Sequence, residues 1–129
     1  MSLANINRPR AQEISLAEGT TSIGAIPVAS QIISPIAGFV QRVYATPSGT
    51  TTGTITVAVA INGGSDICAG GLTIAAGTGS RNNPPFEFPA NIGTSAGPSV
   101  NEGDVITFTP SGGGGSSIGG AFTIVLRLV

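Results

Sequence analysis

Hydrophobic and polar residues alternate along much of this chain. In residues 54–61, Ile55, Val57, Val59 and Ile61 fall on one side and Thr or Ala on the other. That period of two predicts a half-buried β-strand, with β-branched residues where a pleated surface packs them best. Asn62-Gly63-Gly64 follows at once, and Asn-Gly takes the positive φ angles of a tight hairpin turn. A partner strand is predicted over 67–74, with Leu72 and Ile74 on one face and Gly70-Gly71 marking a bulge or a close backbone contact. The chain closes on a strand over 122–129, in which Phe122, Ile124, Leu126 and Leu128 oppose Thr123, Val125, Arg127 and Val129. A strand over 105–109 is entered through Asn101-Glu102-Gly103-Asp104, and one over 39–46 sets Val40, Arg42 and Tyr44 against Phe39, Gln41, Val43 and Ala45. Shorter strands are predicted over 13–17, 22–28 and 85–88.

About eight strands separated by Gly, Pro, Asn or Ser are the signature of an antiparallel sandwich or barrel. The predicted core is lined by Ile55, Val57, Val59, Phe122, Ile124 and Leu126. No stretch of twelve residues carries a helical period, and no internal repeat is visible. Residues 13–129 form the predicted β-sandwich domain. Residues 1–12 read as an extended arm, because Pro9 and its polar neighbours block both helix and core strand. Loops are expected over 47–53, 77–85 and 110–120.

Composition sharpens this picture. The 129 residues suit one domain, and only 9% are charged, against roughly a quarter in an ordinary soluble domain. There is no Lys, His or Trp. Disorder is excluded, since disordered chains are rich in charge and poor in apolar residues. Gly, Thr, Ser, Ala and Asn must cover most of the surface. Such a surface depends little on ion pairs and is cheap to desolvate against a neighbour. The net charge of −1 argues against general nucleic-acid binding, although Arg8 and Arg10 make a basic arm on an acidic body. The apolar stretch 23–43 is interrupted by Pro, Ser, Gln and Arg and is no membrane span. The first ten residues lack the apolar core of a signal peptide.

Candidate chemistry is sparse. A Ser or Thr nucleophile needs a base, and neither His nor Lys exists. The single Cys68 reads as a small buried hydrophobe and cannot build a zinc site. Glu102 and Asp104 read as a turn, with Gly103 supplying its geometry and Asp104 bonding local amides. Asn62 and Asp66 lack calcium-loop spacing, and Gly112 to Gly115 lacks the Lys and Ser/Thr of a phosphate loop. A possible recognition loop carries Arg81, Asn82 and Asn83, stiffened by two prolines. No catalytic residue, cofactor or metal is expected, and the chain reads as a non-enzyme.

Ala37-Gly38-Phe39-Val40-Gln41-Arg42-Val43-Tyr44-Ala45 is followed by the Thr/Val strand with Asn62-Gly63, then Gly71-Leu72-Thr73-Ile74, Asn101 to Ile106, and the closing strand. In style and order this resembles the small β-sandwich decoration, or cement, proteins of tailed-phage capsids. It also looks like modules of phage head and tail fibres. The resemblance implies a jelly-roll-like sandwich, trimeric clustering and docking on a capsid lattice. The expected function is therefore a structural virion protein, made in the host cytoplasm, that binds the major capsid protein on the capsid surface as a homo-oligomer, a trimer. Neither nucleic acid nor membrane is an expected partner. The arm residues Leu3, Ile6, Arg8 and Arg10 are its expected partner contacts, the two apolar ones filling small pockets and the guanidiniums pairing with carboxylates or carbonyls. The alternative is a fibre or receptor-binding module recognising a host glycan or protein.

Overall fold

The computed structural model describes residues 13–24, 27–77, 84–88, 90–91, 94–95, 97–112 and 118–128. The arm contacts Leu3, Ile6, Arg8 and Arg10 and the loop residues Arg81, Asn82 and Asn83 lie outside them. The described residues contain no helix. In chain order the strands are β1 (Glu13–Thr20), β2 (Ser30–Ile33), β3 (Gly38–Pro47), β4 (Ile55–Ile61), β5 (Thr73–Ile74), β6 (Phe86–Glu87), β7 (Ala90–Asn91), β8 (Thr94–Ser95), β9 (Ser99–Val100), β10 (Val105–Ser111) and β11 (Gly120–Leu128).

Two antiparallel sheets form the body. One runs β1-β11-β3, with β6 and β9 sharing the far edge of β3; the other runs β2-β10-β4-β5; β7 and β8 make a small separate hairpin. The first strand pairs with the last over its full length, from Glu13↔Arg127 to Thr20↔Gly120. Leaving β6 to β8 aside, the chain alternates between sheets from β1 to β4, stays for β5, and alternates again through β9, β10 and β11. This is the connectivity of a jelly roll, two interlocked Greek keys.

The core lies between the sheets and matches the alternation of the sequence. Ile55, Val57 and Val59 of β4 and Phe122, Ile124 and Leu126 of β11 are all buried. The rings of Phe108 and Phe122 stack at 5.0 Å, tying β10 to β11 across the sandwich. Pro110 is tolerated in β10 because β2 pairs with that strand only as far as Phe108, so no ladder bond is lost on that side.

Three expectations need correction. No strand forms in the described part of 22–28. Pro27 offers no donor, and Val28 N–H closes back onto the Ser22 carbonyl at 2.8 Å, while Ile23 plugs the core; the strand lies instead at Ser30–Ile33. The partner of β4 shrinks from 67–74 to Thr73–Ile74. The Asp66 carboxylate accepts N–H bonds from Val59, Cys68 and Gly70 and wraps residues 67–70 into a turn that competes with the ladder. Of the two readings of Gly70-Gly71 the close contact holds and the bulge does not: Gly70 sits in the turn at φ 77°, and a Cβ on Gly71 would lie 2.5 Å from the Phe86 ring and 3.0 Å from the Cys68 carbonyl oxygen. In β3 the predicted faces slip. Val40 joins Val43 and Ala45 in the core because Val125 faces Arg42 while the next residue, Leu126, faces Val40. Gln41 is thereby the extra residue of a β-bulge.

Candidate interaction surface

Two of the carboxylates singled out in the sequence, Asp66 and Asp104, are occupied with structure. Asn62 (φ 52°) and Gly63 (φ 73°) make the tight turn after β4, and Gly64 N–H closes it on Ile61 at 3.0 Å. The Asn62 amide then reaches the turn before β10: Nδ2 donates to Asp104 Oδ1 at 2.9 Å, and Oδ1 accepts Val105 N–H at 2.9 Å. The other oxygen of Asp104 accepts Asn101 N–H at 2.8 Å. The Asn101 N–H and the Asn62 amide hold the Asp104 carboxyl below its ordinary value of 3.8. Ser34, after β2, joins this end through Ser34 N–H to the Asp104 carbonyl and Gly103 N–H to the Ser34 carbonyl. Three strand ends are thus pinned together.

Cys68 is buried. Desolvation, reinforced by the Asp66 charge, pushes its thiol up to about 12, so it stays protonated and unreactive. Among the described residues no group of three or more His, Cys, Asp or Glu could hold a metal.

The two outer faces of the sandwich differ sharply. On the β1-β11-β3 sheet, Glu13 faces Arg127 and Arg42 faces Glu87. Arg42 Nη2 also meets Glu13 Oε1 at 3.3 Å. Both described arginines lie on this face, each beside a carboxylate. The Arg42–Glu13 pair is half-exposed and worth little, yet the two arginines and the two carboxylates opposite them leave the face neutral.

The other face has no charged residue among those described. Strand alternation and register place Thr56, Ala58 and Ala60 of β4, Thr107 and Thr109 of β10 and Gln31 of β2 outward. The remaining described charges sit on β1 or in the turns that hold Asp66, Glu102 and Asp104. At the edge of the neutral face, Ile33 lies opposite Val105 and is 65% exposed, the largest exposure of a described large hydrophobic side chain. The polar half of the alternation over 54–61 and 105–109 already showed small uncharged residues. That the two segments lie side by side, Thr109 against Ala58, needed the topology.

No protein-family model matches the chain, and no curated protein matches it. Among solved structures the chain is similar to one titled desmodium yellow mottle tymovirus, at 12% identity and a TM-score of 0.36, covering 93% of this chain and 83% of that one. A likeness that distant carries no weight for function.

Proposed function

We propose that this chain is a structural virion protein that decorates and stabilises a tailed-phage capsid, binding its outer surface as a homo-oligomer, a trimer. The observation that carries this is the neutral face of the β2-β10-β4-β5 sheet with Ile33 exposed at its edge. A flat surface of Thr and Ala with no charge to desolvate is cheap to bury against a neighbour. A jelly roll also offers two broad sheet faces, so one can pack while the ion-paired face looks outward. Each contact is weak, and many copies on one lattice add them as multivalency. Arm residues Leu3, Ile6, Arg8 and Arg10 supply a second, salt-sensitive attachment.

Imaging particles assembled with and without the protein is the direct test. Ile33→Glu and Thr109→Glu should retain the melting temperature yet lose decoration, since each puts an unpaired charge into the buried contact. Deleting residues 1–10 should leave the melting temperature nearly unchanged and weaken attachment, more so as salt rises. A chain that binds host cells but never particles would instead be a fibre or receptor-binding module.

A further inference from the structure

Asn62-Gly63 is the chain's single Asn-Gly pair, and the proposed attachment makes no use of it. A succinimide forms where an asparagine side chain can meet the next backbone nitrogen, and glycine shields that nitrogen least. Gly63 is exposed, and a Cβ built on it would meet nothing within 4 Å. Both reacting residues sit in a solvent-facing turn. The side chain, however, is tied across to β10 by its bonds to Asp104 Oδ1 and Val105 N–H, and the Asn62 N–H is held by the Val105 carbonyl at 2.8 Å.

We propose that Asn62 is a site of spontaneous deamidation, with water as co-reactant, and that its clasp on Asp104 and Val105 is the guard that slows it. The reaction balances without any redox partner. The Gly63 nitrogen attacks Cγ of Asn62, the Cγ–Nδ2 bond breaks, and Nδ2 leaves as ammonia with the proton lost from Gly63. Water then opens the succinimide, its hydroxyl going to one carbonyl carbon and its proton to the ring nitrogen. Opening at Cγ gives aspartate, and opening at the backbone carbon gives isoaspartate. Ring closure requires the side chain to leave both partners and the backbone to leave its left-handed turn, so the rate follows local opening of this end of the sandwich. Modification also removes the guard. Where Nδ2 donated to Asp104, the product sets one carboxylate against another, and like charges in contact destabilise the turn.

Cleavage after Arg42 and Arg81 releases residues 43–81, a fragment in which Asn62 is the sole asparagine and which has no glutamine. The amide-to-acid mass gain of that fragment therefore reports this site. On incubation at neutral pH the denatured chain should gain mass fast and the folded chain slowly, a comparison that needs no variant. Folded Asp104→Ala should gain mass about fivefold faster than the unaltered chain, in line with the loss of a charge-assisted hydrogen bond. Glu102→Ala, which removes a neighbouring exposed carboxylate, should not. Asn62→Asp, the product made in advance, should melt lower at neutral pH, and its deficit should narrow below about pH 4, where carboxylates take up protons. Equal rates in the folded and denatured chains, no mass gain in either, or an Asp104→Ala rate no faster than the unaltered chain would each overturn the proposal.

Discussion

Asp104 carries a testable pH signature. Its carboxyl lies below the ordinary 3.8 because Asn101 N–H and the Asn62 amide bond its charged form. A depressed folded value means the contribution is complete above the unfolded value and lost as pH falls through the folded one. The chain should therefore lose stability below about pH 4, and Asp104→Asn should flatten that part of the curve in acid-unfolding measurements. Cys68 predicts the converse of reactivity: with its thiol pushed up to about 12, the native protein should resist a maleimide that labels the denatured chain. Gly97 is a steric requirement. A Cβ there would overlap the carbonyl oxygen of Val40, which pins the strand carrying a core side chain. Gly97→Ala should cost about 2 kcal/mol or more in denaturant unfolding, the scale of overpacking a tight site.

Within an element, alternation separates packing from surface. Along β10, Phe108 is fully buried and stacked on Phe122, while its neighbour Thr109 is exposed. Phe108→Ala should therefore cost about 3–5 kcal/mol, and Thr109→Glu about 0.5 kcal/mol or less, measured by the same unfolding curves. In β4, Val57→Asp would bury an unpaired charge and should destabilise by several kcal/mol, on the order of a buried, unbonded polar group. Strand β3 shows where alternation alone misleads. Its bulge at Gln41 lets Val40 and Val43, three apart, reach the same core. A strict period of two pairs Val40 with Arg42 instead, because the extra residue is decided by the facing β11, not by β3 itself.

At the scale of the whole molecule, what holds the described residues together is burial and hydrogen bonding. One ion pair, Arg42–Glu13, occurs among the described residues, and both of its side chains are over a third exposed. The melting temperature should shift little between low salt and about 1 M salt, where the screening length falls to about 3 Å. A large salt-induced loss would place much more of the stability in electrostatics than the described residues contain.

The β class, the half-buried strands observed as β4, β10 and β11, the Asn62-Gly63 turn and the six core residues were legible in the sequence. Each depends on a local period or a single turn's φ preference, which neighbouring residues alone specify. The same holds for Asp104, since an Asp after Glu-Gly caps its own turn. The mating of β1 with β11 across the whole chain, the exchange of strands between sheets, the bulge at Gln41 and the gathering of Thr56, Ala58, Thr107 and Thr109 into one uncharged face were decided by tertiary structure. These depend on which strands meet and in what register, and that choice is made by burying all the apolar faces together, a condition no single segment contains.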